Sequence, residues 1–157
     1  MLVRISAYEF RNTVIQAIQA IQAFDTIDHK ILLDKLQRFG IYDSEHRWMT
    51  DYLTDRIQSV FVGGVLSCPQ QVTSGVPQGS ILGPLLFSLY VTDLPNCLRA
   101  ANVLMYADDT VIYYAAPDAN QLERMLNAEL KFLHDWSSKN ELFIHAKKTE
   151  YVIFELL

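Results

Sequence analysis

The chain has 157 residues, half of them apolar and a fifth charged, with thirteen basic against eighteen acidic side chains and a formal net charge of −5. That size and composition suit one globular domain burying roughly 68–70% of the surface its unfolded chain exposes, and they exclude a disordered chain. The acidic balance tells against tight autonomous binding to a polyanion, leaving only a local basic stripe for that purpose.

The N-terminal stretch "MLVRISAYEFRNTV" lacks the apolar core of a signal peptide, and no run reaches the roughly 18 apolar residues needed to span a bilayer. A soluble, non-secreted, intracellular chain without a membrane partner is expected. Cys68 and Cys97 lack metal-ligand spacing and read as reduced thiols without chemistry.

Residues 14–23, "VIQAIQAIQA", repeat Ile-Gln-Ala three times, and a three-residue period with Ala and Gln predicts a helix rather than an alternating strand. Residues 1–22 are therefore set apart as an atypical N-terminal segment. "DHKILLDKLQRFG" follows, with Ile31, Leu32, Lys35, Leu36 and Phe39 at helical spacing, Asp28 as N-cap and Gly40 as C-cap. A second helix is expected from about Ser44 to Asp55.

"IQSVFVGGVLSCPQQVTSGV" alternates around Gly63-Gly64, which predicts a hairpin whose second strand runs from about Cys68 or Gln70 to Thr73. "SILGPLLFSLYVTDLP" reads as a buried helix with Pro84 in its first turns, where proline is tolerated. "VLMYADDTVIYY" predicts a strand pair turning at Asp108 and Asp109. In the segment after it, Leu122, Met125, Leu126, Leu130, Leu133 and Trp136 share one face of a long amphipathic helix. "EYVIF" closes the chain as a strand, and residues 23–157 are expected to form a single α+β domain.

The adjacent carboxylates of Asp108 and Asp109 raise the chemical question. Two like charges about 4 Å apart repel by roughly 4 kcal/mol at an effective dielectric near 20. Neighbouring strand residues point to opposite faces, so both can serve one site only at a bend such as a hairpin tip. A divalent cation compensates such a pair, since Mg²⁺ takes hard oxygen ligands from one or two carboxylates, water and substrate phosphates. Taken alone, an Asp-Asp pair is more often a solvated turn.

Four segments in fixed order decide between these readings: "AFDTIDHKILLDKL", "SGVPQGSILGPLLFSLYVTDLP", "YADDT" and "WSSKNELFIHAKKTEYVIF". Together, over roughly Ala23 to Phe154, the chain resembles the reverse transcriptases of non-LTR retrotransposons, of the insect jockey-like and related LINE type. The resemblance implies a right-hand polymerase palm, a split β-α-β, ferredoxin-like sheet with helices on one face, with fingers and thumb outside these residues. It implies RNA-directed DNA polymerisation by two-metal nucleotidyl transfer, with Mg²⁺ or Mn²⁺ held by Asp108 and Asp109. It places Gln78 and Gly79 of "PQGS" at the nascent base pair and Phe24 of "AFD" beneath the incoming sugar, where it excludes a 2′-hydroxyl. Lys148 would stand near the triphosphate, as a phosphate partner or proton donor to pyrophosphate. The implied partners are an RNA template, a DNA primer and deoxynucleoside triphosphates.

Read without the family, "GVPQG" is a turn and helix start, Phe24 a core aromatic and Lys148 a solvated lysine. Asp25, Asp28 and His29 belong to the "AFDTIDH" signature without being family metal ligands, and are expected to cap the helix and hold the local turn. His46 and His134 have no partner at metal-ligand spacing. The family usually has asparagine where His145 stands.

The match fails at one chemical position. The family's third metal carboxylate stands four residues before the alanine of "AFD", and here that residue is Gln19. Removing one Ile-Gln-Ala triplet brings Gln16 to that place and removing two brings Thr13, so no register returns an aspartate; the nearest upstream acid is Glu9. A neutral amide removes a charge and a bidentate ligand, which predicts weakened metal binding. The helical character of the repeat further predicts that the first palm strand is damaged or replaced.

Three readings follow: an inactive palm relic, a subunit active only with a complementing chain, and a co-opted binding or dimerisation module. Weak or no autonomous nucleic-acid binding is expected. So is self-association through apolar surface left bare by absent neighbours.

Overall fold

The computed structural model of the chain describes residues 13–19, 24–144 and 149–154. The chain divides into two compact units, one holding residues 13–19, Asp93–Lys139 and the C-terminal strand, the other residues 24–92 with Asn140–Leu142.

In the first unit, strands β1 (Thr13–Gln19), β6 (Asn102–Tyr106), β7 (Asp109–Ala115) and β8 (Glu150–Phe154) form an antiparallel sheet of order β6-β7-β1-β8. With helices in both connections, this order is that of a split β-α-β fold. The expected helix over 14–23 is corrected here, because residues 13–19 are a central strand, and the first strand is present rather than replaced. The physical reason is pairing on both sides: Thr13–Gln19 ladders with Ala115–Asp109, and Thr13–Ala17 with Phe154–Glu150. Two complete ladders outweigh the small helix preference of Gln and Ala, and the β-branched Val14, Ile15 and Ile18 suit a strand.

Helix α4 (Ala119–Lys139) packs on this sheet through the stripe its spacing predicts. Leu122 and Leu126 pack with Ala116, while Leu133 joins Leu94 and the fully buried Ile112, flanked by Val103, Met105, Leu130 and Trp136. Its apolar stripe carries one charged interruption. Glu129, 1% exposed, accepts the backbone N–H groups of Arg99 at 2.9 Å and Ala100 at 3.0 Å. That carboxylate fixes the chain just before β6, and Trp136 Nε1 donates to Asp93 Oδ1 at 3.2 Å nearby. Cys97 lies in this core, and burial, with the charges of Glu129 and Asp93, pushes its thiol up to about 11.

In the second unit, α1 (His29–Arg38) packs against α2 (Asp43–Leu53) and α3 (Leu82–Val91). The Asp28 carboxylate accepts the Ile31 N–H at 2.8 Å, as the N-cap reading requires. At the other end Gly40, at φ 86°, donates to Gln37 O while Ile41 donates to Leu36 O, a Schellman closure that needs a left-handed residue. Ile27, Leu32, Leu36, Leu53, Leu86 and Tyr90 have no exposed surface. Lys35 is buried with them, its Nζ donating to Tyr90 O at 2.5 Å and standing 4.9 Å from the Tyr90 ring centre.

The expected hairpin is two short ladders, β2 (Ile57–Gln58) with β5 (Gln70–Gln71) and β3 (Phe61–Val62) with β4 (Val65–Leu66). Gly63 and Gly64 both take positive φ at its tip. Every residue of these strands is exposed. Among the described residues no helix is long and apolar enough to cross a membrane.

Candidate functional site

The hairpin between β6 and β7 is closed by two residues, Ala107 and Asp108, with Tyr106 paired to Asp109. Ala107 takes φ 52°, a left-handed value that costs a residue with a Cβ about 1–2 kcal/mol. The turn presents Asp108 half-buried at its tip and Asp109 exposed at the first position of β7. Position 19 is the direct cross-strand partner of Asp109. Directly opposed residues in an antiparallel ladder stand about 4.5–5.5 Å apart at Cα, so the three positions converge at one end of the sheet. Aspartate occupies positions 108 and 109, and glutamine position 19. No cluster of three or more metal-ligating His, Cys, Asp or Glu side chains exists among the described residues.

The remaining candidates lie in the second unit, where the segment 24–28 is fastened along 74–78. Gly75 N donates to Ile27 O and Val76 N to Phe24 O, each at 2.8 Å, and Ser74 Oγ donates to Asp25 O at 3.0 Å. His29 Nε2 is 2.7 Å from Gly75 O, so the signature histidine holds the turn as expected. Gly75 itself is at φ 84°, and a Cβ there would stand 2.8 Å from Asp25 Cα and 2.9 Å from Phe24 O. Only glycine lets the two backbones approach this closely.

This junction aims the candidate side chains. Phe24, half-buried, stacks on Phe87 with ring centres 4.7 Å apart. Gln78 is exposed and its Nε2 donates to Asp25 Oδ1 at 2.7 Å. Gly79, at φ 76°, has open space where a side chain would project. Ser80 closes the turn, donating to Pro77 O at 2.7 Å and accepting from Gly83 N at 2.9 Å ahead of α3. Lys148 and His145 lie outside the described residues.

Sequence reading did not find the pairing of Asp25 with Gln78, nor the close approach at Gly75. The partners are 53 residues apart, and no local period links such a pair. Asp25 was expected to share in the helix cap and local turn; Asp28 makes the cap, while Asp25 O accepts from Ser74 Oγ and its carboxylate accepts from Gln78 Nε2.

A family model described as reverse transcriptase (RNA-dependent DNA polymerase) matches residues 7–155. Among curated proteins the chain is 34% identical over 161 residues to the probable RNA-directed DNA polymerase from transposon BS of Drosophila melanogaster, covering 94% of this chain and 17% of that protein. To the RNA-directed DNA polymerase from mobile element jockey of the same fly it is 30% identical over 140 residues, covering 85% of this chain and 15% of that one. The chain therefore spans about a sixth of these relatives. Among solved structures, apo telomerase from Candida tropicalis, truncated from its C-terminal domain, matches with a TM-score of 0.69 at 14% identity, over 96% of this chain and 32% of that one. Telomerase from Candida albicans, in complex with a TWJ fragment of telomeric RNA, matches with a TM-score of 0.67 at 16% identity, over 92% of this chain and 27% of that one. At these identities the two structures speak for the fold.

Proposed function

The chain belongs to the reverse transcriptase family, in its non-LTR retrotransposon branch, and from that premise we propose that it is the palm of such an enzyme with an incomplete metal site. The reaction of the intact site is extension of a DNA 3′ end on an RNA template from deoxynucleoside triphosphates. In this reading Asp108 and Asp109 are the metal ligands, Phe24 gates the sugar, Gln78 and Gly79 meet the nascent base pair, and Lys148 serves the phosphates.

The donor set decides how far the activity survives. Two carboxylates at a hairpin tip suit one Mg²⁺ with waters completing its shell. They do not suit a pair of ions, which needs a further carboxylate between them, and Gln19 offers only a neutral amide. When bound, the metal pair of an intact site would lower the charge barrier between attacking hydroxyl and triphosphate. The carrying observation is that position 19 stands directly opposite Asp109 and holds glutamine. We therefore read the chain as unable to polymerise by itself, with weak nucleic-acid affinity in keeping with its net charge of −5.

Calorimetric titration with Mg²⁺ and Mn²⁺ tests this. Feeble binding by the parent, strengthened about tenfold or more in Gln19→Asp and lost again when Asp108→Asn and Asp109→Asn are added, is the expected result. Tight binding by the unaltered chain through the two aspartates would overturn it.

A second reading, association with another copy, is favoured by the exposed apolar hairpin. Ile57, Val60, Phe61, Val62, Val65 and Leu66 are each 63–73% exposed. Residues 57–71 contain no charged side chain to protect those strand edges. Sedimentation showing a compact monomer at all concentrations would remove this reading.

A further inference from the structure

The uncharged hairpin of residues 57–71 has two edges, and its hydrogen bonds make them unequal. Arg56 O accepts from Val72 N at 2.8 Å, Val60 O accepts from Ser67 N at 2.8 Å, and Val60 N donates to Ser67 Oγ at 2.9 Å. Residues 56 and 60 therefore turn their peptide groups inward, toward the second strand. Since peptide groups alternate along an extended strand, those of Ile57, Ser59 and Phe61 turn outward. Ser59 is exposed and makes no hydrogen bond among the described residues.

The second strand offers no such edge. Gln58 pairs with Gln70 and Val60 with Ser67, so residues 67–70 take three steps where 58–60 take two, which is a bulge. Pro69 lies in that bulge and has no N–H to give.

An open edge of three alternating peptide groups, with no charge and no proline from Ile57 to Val62, is a template for strand addition. We infer that its occupant is the same edge of a second copy, paired antiparallel about a two-fold axis at Ser59. In that register Ile57 stands opposite the partner's Phe61 and Ser59 opposite the partner's Ser59, so every outward peptide group meets an outward one. Such a contact uses the same patch twice and needs no second surface. Charge favours this occupant: two copies of a chain with net charge −5 repel, and the stretch 57–71 lets them meet without like charges in contact. Area agrees. Ile57, Val60, Phe61, Val62, Val65 and Leu66, each 63–73% exposed, together present on the order of 800 Å², one partner's share of a standard interface. Phe61 beside the partner's Ile57 is an aromatic and β-branched pair of the kind that stabilises antiparallel sheets. This inference rests on the reading of the hairpin as a contact between copies, and names its edge, register and symmetry.

Sedimentation velocity of the full chain over a range of concentrations measures the association. Ser59→Lys sets like charges directly opposite each other at the axis and is expected to weaken association about fivefold or more, as is Ser59→Asp. An equimolar mixture of the two variants should associate at least as tightly as the parent, because lysine then faces aspartate. Ser59→Pro removes an outward N–H from each copy and should weaken association more than about tenfold, whereas Gln71→Lys on the bulged strand should leave it unchanged. Association that ignores Ser59→Lys and Ser59→Asp, or variants that stay apart when mixed, would overturn this edge and register while leaving contact between copies standing. A monomer at every concentration would remove both.

Discussion

The junction of residues 24–28 with 74–78 and the hairpin bearing Asp108 and Asp109 are both short turns within family motifs, but they are held by different forces. At the junction, backbone meets backbone: Gly75 and Ile27 are buried, and side-chain and main-chain hydrogen bonds cross at several points. At the hairpin the ladder between β6 and β7 positions the turn; Asp109 is exposed and Tyr106 is 84% exposed. The lesson is that geometry there comes from register, and register is indifferent to which side chain stands at a strand end. Glutamine at position 19 ladders with Asp109 as any residue there would, so the side chain can change while the sheet remains.

Substitutions should separate the two regions by size of effect. Gly75→Ala adds a left-handed strain of about 1–2 kcal/mol to an overlap with the 24–25 backbone, and is expected to lower stability by about 4 kcal/mol in urea unfolding. A loss below about 1 kcal/mol would mean that the two backbones can part easily. Glu129→Ala, which strands the Arg99 and Ala100 N–H groups just before β6, should cost about 3 kcal/mol. Hydrogen exchange at those two amides should accelerate with it. Asp28→Ala removes a helix cap and should cost about 1 kcal/mol, read in the same unfolding experiment.

The smallest structural effect is expected at the aspartate hairpin. Asp108→Asn with Asp109→Asn should change stability by no more than about 0.5 kcal/mol, since Asp109 is exposed and Asp108 sits half-buried at the hairpin tip, yet should abolish whatever divalent-ion binding the chain has. A large loss of stability in that double variant would make the hairpin resemble the junction and dissolve the contrast. Gln19→Asp sharpens the contrast from the other direction: metal affinity rises, while the unfolding midpoint without metal falls slightly, because three carboxylates then share the site.

Much of this was legible in residue order. The cap at Asp28, the close of α1 at Gly40 and the apolar stripe of α4 are set within a few residues of chain, where local sterics and helical period suffice. The turn at Asp108 was readable because apolar residues flank it on both sides. The Ile-Gln-Ala repeat misled for the opposite reason: its local period favours a helix, and its strand form is decided by β7 and β8, whose residues lie about ninety or more positions away.

By itself, then, the sequence determined the helices, the aspartate turn and the family motifs, all of which depend on residue identity or on neighbours a turn away. Tertiary structure alone decided that residues 13–19 are the central strand, that position 19 faces Asp109, and that Asp25 commits one end of the Gln78 amide. Those three facts are pairings across long stretches of chain. They come from ladder hydrogen bonds and close backbone packing whose partners no local pattern specifies.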